Sequence, residues 1–315
     1  MDLAAELARF GPAAGPTVVS PDEARTYCRR LALTHYENFA VASRLVPQHL
    51  RQHLCNVYAY CRWADDLADE PHRSPHAPRE DSITRSVMPT LLLDWWEQQL
   101  DAAYAGQASH PVFVALSETI REFDLPRQPL ADLLVAFRRD QVQTRYETMA
   151  ELLTYCEKSA NPVGRIVLGL GGALSPGKAL LSDSICTGLQ LANFWQDVRG
   201  DFARGRIYIP QEICRRHGWS EAQFVAGKCD PAFREMLAPL VDQADAMLVA
   251  GQPLVDQVGR DLALAVRLFI RGGRAVLAAI QRSGYDVWSR RPVVGRLTKL
   301  RLALAALWQS TRWRR

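Results

Sequence analysis

This sequence of 315 residues lacks a strong net charge and lacks a pattern of paired cysteines. The formal net charge is only +4, and neither a zinc-finger nor an RNA-binding signature occurs, so nucleic acid is not an expected partner. The seven cysteines are odd in number and include no Cys-x-x-Cys pair. Several fall in apolar helical patterns, which indicates free thiols and a reducing compartment, the cytoplasm.

Further absences concern membrane spans and cofactor motifs. No apolar run approaches the ~18 residues that cross a bilayer, and residues 1–20 lack a signal-peptide pattern. No Gly-x-Gly-x-x-Gly motif follows a strand, so no nicotinamide cofactor is expected. The chain contains no Glu-x-x-His, which a di-iron bundle needs. Residues 172–178 nearly spell a P-loop, but Ala179 replaces the magnesium-binding Ser or Thr, so a turn between helices is expected.

What is present is helical periodicity, and it predicts an all-α fold without alternating strands. We expect a loose leader at residues 1–20, one helical domain over 21–292, and a basic amphipathic tail at 293–315. The helical ranges after residue 82 are predicted as 90–105, 112–123, 129–145, 149–158, 162–173, 178–202, 230–257 and 260–283.

A polar stripe lies beside the apolar stripe of the helix predicted over residues 47–69. Its members, at steps of four, three and four, are Tyr58, Arg62, Asp65 and Asp69. One helix face therefore carries a hydroxyl, a guanidinium and two carboxylates. Asp66 lies about 100° away from this stripe and is expected to matter less.

The helix predicted over residues 178–202 carries a matching stripe. Its members, at steps of three, four and four, are Gln190, Asn193, Asp197 and Asp201. Two carboxylates at i,i+4 repel each other and weaken a helix slightly. One such pair alone would be interpreted as a solvated acidic face. Two such pairs in apolar helices, neither with a Lys at the neighbouring i,i+4 position, predict unpaired carboxylates that need cations if the helices face each other.

Magnesium is the cation that these oxygen ligands favour, together with phosphate oxygens and water. The predicted ligands are Asp65, Asp69, Asn193, Asp197 and Asp201. Magnesium on a diphosphate neutralises a leaving group, and Arg62 could clamp a phosphate oxygen with both arms of its guanidinium. Cleavage of an allylic C–O bond then leaves a carbocation, which apolar walls must shield from water.

Three stretches resemble the squalene and phytoene synthase family: residues 58–69 (YAYCRWADDLAD), 190–201 (QLANFWQDVRGD) and 205–210 (GRIYIP). The resemblance covers about residues 25–292. It implies an isoprenoid synthase fold around a deep apolar pocket, magnesium, and head-to-head joining of prenyl diphosphates such as farnesyl diphosphate. It also implies a catalytic role for Tyr58, and substrate or diphosphate contacts from Gln190, Gln196, Arg206 and Tyr208.

Within the family, residues 35–43 (HYENFAVAS), 159–164 (SANPVG) and 193–197 (NFWQD) resemble the hydroxysqualene synthases of bacterial hopanoid biosynthesis. That resemblance implies presqualene diphosphate as substrate and capture of its rearranged cation by water. It places Tyr36 and Glu37 among the catalytic residues and Asn38 at the diphosphate. Position 196 is commonly Arg in the family, and here it is Gln. The alternatives are presqualene diphosphate, squalene or phytoene synthase, and a non-catalytic helical scaffold.

The C-terminal residues 296–315 combine an apolar helical stripe with several arginines and lysines. Such a pattern is typical of helices that bind the anionic inner face of a cytoplasmic membrane, where apolar prenyl substrates reside. The alternative is a helix packed on the bundle with a solvated tip. Association with neighbouring enzymes of the pathway is compatible with either.

Overall fold

The structure, a computed structural model, describes residues 1–15, 17–35, 47–69 and 82–295, but not the side chains of His35, Asp69, Asp261 and residues 82–87. In this part of the chain every regular element is a helix, and the only β-type pairing is one isolated bridge between Arg145 and Ile207. The all-α prediction is confirmed. The described residues form two compact units, the first ending at Val142 and the second beginning at Gln143. Among the described helices, none is long and apolar enough to span a membrane.

The first unit is organised around one central helix, Arg51–Asp69, which we call the first aspartate helix. It packs against the other long helices of the unit. The helices of this unit are Leu3–Phe10, Pro21–His35, Arg51–Asp69 after a 3-10 turn at Gln48–Leu50, Ser82–Tyr104, Pro111–Phe123 and Arg127–Asp140. Trp63 on the central helix is fully buried and stacks on Trp96, with ring centroids 5.1 Å apart.

The expectation of a loose leader is wrong for residues 3–10, which form a helix. The Asp2 side chain caps it by accepting a backbone N–H at 3.2 Å. Phe10 is buried at its end, with its ring centroid 5.6 Å from that of Tyr27. The apolar residues of this segment recur at helical spacing, a signal that the sequence already carried.

The second unit also has a central helix, Pro176–Gln196, which we call the second aspartate helix. It packs against Asn161–Leu170, Pro231–Ala250 and Arg260–Arg282. The helices of this unit are Met149–Ser159, Asn161–Leu170, Pro176–Gln196, Val198–Ala203, Gln211–Arg216, Glu221–Ala226, Pro231–Ala250, Leu254–Gln257 and Arg260–Arg282. Of the P-loop-like residues 172–178, those up to 175 lie in the turn between two helices that the sequence predicted, and 176–178 begin the second aspartate helix.

Three predicted helices are too long. The helix predicted over 178–202 breaks at Asp197, whose ψ of 17° departs from helical geometry, and resumes at Val198. The one predicted over 230–257 ends at Ala250, because the following residues, 251–253, include a glycine and a proline. The one predicted over 129–145 ends at Asp140, and the segment beyond it pairs with residues 207–212 through backbone hydrogen bonds.

Candidate functional site

The polar stripe of the first aspartate helix lies on a partly exposed face. Tyr58, Arg62 and Asp65 are each partly exposed, whereas the apolar neighbours of the stripe are mostly buried. The helix ends at Asp69, whose side chain lies outside the described residues. The helical placement of the predicted residues is therefore as expected.

The guanidinium of Arg62 is held by two carboxylates of its own helix. Its Nε donates to Asp66 Oδ2 at 3.1 Å, its Nη2 donates to the other Asp66 oxygen, and its Nη1 donates to Asp65 Oδ2 at 3.2 Å. Asp66 is only 2% exposed. Asp66, which the stripe geometry predicted to matter less, is thus the buried ion-pair partner of Arg62, because a buried charge needs a partner of opposite sign.

The second group of predicted ligands surrounds the end of the second aspartate helix. Gln190 and Asn193 lie on its last turns, Asp197 at the break, and Asp201 in the short helix that follows. The Asp201 N–H donates to the Asp197 carbonyl at 2.9 Å, which keeps the two residues one turn apart. A Cβ on Gly200 would lie 2.9 Å from Asp197 Oδ1, so this glycine leaves room for the carboxylate.

The electrostatics of this aspartate pair fit a divalent cation. Burial, and then the negative charge of Asp197, raise the pKa of Asp201 to about 6, while Arg204 and Arg206 act in the opposite direction. A hard cation bound by oxygen ligands would relieve this repulsion, so the donor set suits Mg²⁺. The described residues include no cluster of three or more His, Cys, Asp or Glu able to hold a metal. Mg²⁺ in proteins usually binds one or two carboxylates together with substrate phosphates and water.

The prediction that these carboxylates are unpaired is wrong for Asp65, Asp197 and Asp201, and it is untested for Asp69, whose side chain is not described. Arg62 pairs with Asp65, and Arg204 Nη1 lies 3.2 Å from Asp201 Oδ1. Arg291, from the segment after the last described helix, pairs with Asp197. Two of these partners are arginines three residues away in the sequence, not lysines at i,i+4, and the third is 94 residues away in the chain.

Gln196 and Tyr208, both predicted to contact substrate, are engaged within the protein. Gln196 is 7% exposed, and its side-chain amide donates to the Pro292 carbonyl. The Tyr208 ring stacks on Phe194 with centroids 3.7 Å apart and an interplanar angle of 10°. Both assignments to substrate stay predictions.

The loop that carries Arg206 is held in place by Arg145. Arg145 Nη1 donates to the Gly205 carbonyl at 2.6 Å, and its Nη2 pairs with Glu221 at 2.6 Å. Arg206 itself is partly buried, and its N–H donates to the Asp201 carbonyl at 2.9 Å. These bonds fix the loop next to the second aspartate group.

Tyr36, Glu37 and Asn38 lie outside the described residues, as does the tail over 296–315. Their predicted roles are untested by the structure. All seven cysteines are free thiols, as the sequence predicted.

Comparison with known proteins identifies relatives over most of the chain. The family model for squalene/phytoene synthase matches residues 32–298. The chain is 30% identical to 15-cis-phytoene synthase of Synechocystis sp. over 97% of its length and 90% of that protein, and 30% identical to phytoene synthase of Arthrospira platensis over 85% and 87%.

Two solved structures extend the comparison. The squalene synthase HpnC from Alicyclobacillus acidocaldarius is 41% identical, with a TM-score of 0.77 over 84% of this chain and 96% of that one. A dehydrosqualene synthase solved with a ligand shares the fold at 22% identity, with a TM-score of 0.80 over 93% and 98% of the two chains.

Proposed function

Because the chain belongs to the squalene/phytoene synthase family, whose members act on prenyl diphosphates, we propose that it is a hydroxysqualene synthase. Its substrates are presqualene diphosphate and water, and its products are hydroxysqualene and diphosphate. The observation that carries this choice is Gln196. Where relatives commonly have Arg, this chain has a buried, uncharged side chain bonded to Pro292. One cationic phosphate clamp is therefore missing, which suits a reaction with one diphosphate rather than two.

The proposed magnesium ligands are Asp65 and Asp69 in the first unit, and Asn193, Asp197 and Asp201 in the second. Bound there, Mg²⁺ would supply the positive charge that neutralises the departing diphosphate. Further diphosphate and substrate contacts are proposed for Asn38, Arg62, Gln190, Gln196, Arg206 and Tyr208. Arg62 donates three of its five N–H groups to Asp65 and Asp66, and the other two can be directed at a phosphate oxygen.

Capture of water completes the proposed reaction. The C–O bond of the substrate breaks, its electron pair leaves with the diphosphate, and a water oxygen bonds to the rearranged cation. The water then loses a proton, and we assign Glu37 as the acceptor, with Tyr36 and Tyr58 beside the reacting atoms. We further propose that residues 296–315 contact anionic lipid, where the apolar substrate resides.

The second candidate is head-to-head prenyl transfer, the activity of a presqualene diphosphate, squalene or phytoene synthase. The names of the phytoene synthases among the relatives favour it. A non-catalytic scaffold of the same fold is the third. The aspartates at the motif positions of both helices, Asp65, Asp69, Asp197 and Asp201, argue against a scaffold.

Product identification separates these candidates. The purified full chain is incubated with Mg²⁺ and, in separate reactions, with presqualene, farnesyl or geranylgeranyl diphosphate, always without nicotinamide cofactor. We expect hydroxysqualene from presqualene diphosphate and no condensation of the other two. Formation of presqualene diphosphate, squalene or phytoene from a linear substrate would establish prenyl transfer instead. Recovery of all three substrates unchanged would leave the scaffold.

A further inference from the structure

The segment Asp286–Pro292, which follows the last described helix, is anchored in the second unit. The Trp288 ring is buried, with its centroid 5.7 Å from the Phe233 ring and 6.0 Å from the Phe224 ring. The Asp286 carboxylate accepts two backbone N–H groups, from Trp288 and from the next residue, at 3.1 and 2.9 Å. The segment therefore has a defined position.

Two side chains next to Asp197 bind the backbone of this segment. The Gln196 amide donates to the Pro292 carbonyl, and Arg199 Nη1 donates to the Trp288 carbonyl at 2.9 Å. These donors flank Asp197 in the sequence. One hydrogen bond before Asp197 in the sequence and one after it thus connect the helix break to the C-terminal segment.

The result of these two contacts is that Arg291 lies on the Asp197 carboxylate. Arg291 Nε lies 3.0 Å from Asp197 Oδ1, and Nη2 lies 3.3 Å from Oδ2, so both oxygens accept from one guanidinium. The side chains are 49% and 23% exposed, respectively. Because the two tethers position this pair, it is set by the fold, unlike the Arg204–Asp201 pair, whose members are one turn apart.

We propose that Arg291 is an internal competitor of the metal: it neutralises Asp197 in the metal-free protein and must leave that carboxylate when Mg²⁺ binds. The proposal rests on the proposed function in one respect, that Asp197 is a magnesium ligand. A metal ion needs a carboxylate oxygen that the guanidinium occupies, and the positive charge of Arg291 also repels the ion. Arg291 is therefore a positioning residue that sets the metal affinity through Asp197.

Competition and a purely structural role predict opposite changes in metal affinity when Arg291 is replaced. If Arg291 only held the segment in place, its loss would loosen the ligand and weaken metal binding. If Arg291 competes with the metal, its loss strengthens metal binding. Since half of the Arg291 side chain is exposed, we expect a modest effect, about fivefold in the dissociation constant, as for partly solvated ion pairs.

The test measures Mn²⁺ binding to the full chain without substrate, by electron paramagnetic resonance of the free ion and by displacement with Mg²⁺. Arg291→Gln should bind Mn²⁺ about fivefold more tightly than the wild type, and the difference should shrink at high salt. Arg291→Lys keeps the charge and should stay near the wild type. Arg290→Gln, at the exposed neighbouring position, is the matched control and should change little. Circular dichroism verifies that each variant is folded.

Asp197→Asn separates failure of this proposal from failure of the metal assignment. If Asp197→Asn loses affinity while Arg291→Gln binds as the wild type does or more weakly, the competition is refuted and the ligand assignment stands. If Asp197→Asn binds Mn²⁺ like the wild type, Asp197 is not a ligand and both ideas fall. If neither the wild type nor Arg291→Gln binds Mn²⁺, the competition is also refuted.

Discussion

The two adjacent glycines of the helix Arg260–Arg282 should respond to alanine with opposite signs. A Cβ on Gly272 would meet nothing within 4 Å. A Cβ on Gly273 would lie 2.7 Å from Leu189 Cδ2 and 2.9 Å from Leu248 Cδ1. Leu248 is fully buried and cannot move aside easily, because a Cβ on Gly188 would already lie 2.9 Å from its Cγ.

The magnitudes follow from these distances. Alanine in a helix interior is favoured over glycine by about 0.5–1 kcal/mol, so Gly272→Ala should stabilise the protein by that amount. Gly273→Ala has the same intrinsic gain, but overpacking costs about 1–3 kcal/mol. The two variants should therefore differ by about 1–3 kcal/mol in the free energy of unfolding, with Gly273→Ala the less stable.

Thermal unfolding followed by circular dichroism measures the difference, at about 2–4 °C of Tm per kcal/mol for a unit of this size. Leu248→Ala completes a double-mutant cycle with Gly273→Ala. The double variant should lose less free energy of unfolding than the sum of the two single variants, because Leu248→Ala vacates the space that the new methyl group needs. Equal Tm shifts for Gly272→Ala and Gly273→Ala would refute the close packing of these three helices.

Three further predictions concern charge, ligand geometry and water capture. Burial lowers the pKa of His110 to about 3 from 6.5, so below pH 6.5 the unfolded chain binds a proton that the folded chain does not. The stability contributed by neutral His110 is present above pH 6.5 and lost as the pH falls toward 3, by about 1.4 kcal/mol per pH unit. In denaturant unfolding, the free energy of unfolding of His110→Asn should therefore depend less on pH than that of the wild type. Gly200→Ala should displace the Asp197 carboxylate and weaken Mn²⁺ binding, whereas Gly177→Ala, which meets nothing within 4 Å, should leave binding unchanged; equal affinities would contradict the first. Glu37→Gln should still release diphosphate from presqualene diphosphate but yield less hydroxysqualene and more hydrocarbon by chromatography; an unchanged product ratio and rate would remove Glu37 as the proton acceptor.

The two central helices were predictable because their signals are periodic and local. Apolar residues at helical spacing predicted the first aspartate helix, and its polar stripe lies on a partly exposed face. The missed helix at residues 3–10 carries the same kind of signal over a shorter length. Periodicity states which face a side chain occupies, but not what it contacts.

The contacts of the charged groups were therefore beyond the sequence. Asp66 lies off the stripe but is the buried partner of Arg62, which follows from tertiary burial and not from helical angle. Arg291 reaches Asp197 only because the chain folds back from a position 94 residues away. The helix break at Asp197 has no proline to announce it.

We propose that the chain ionises a prenyl diphosphate with magnesium held by its aspartates. Diphosphate release from presqualene diphosphate, measured with Mg²⁺ and with a chelator, for the wild type and for Asp197→Asn, tests it most directly. Asp197→Asn keeps the shape of the side chain and removes its charge. We expect release by the wild type only with Mg²⁺, and almost none by Asp197→Asn at saturating Mg²⁺. Equal release by both proteins, or release by the wild type in the presence of chelator, would contradict it.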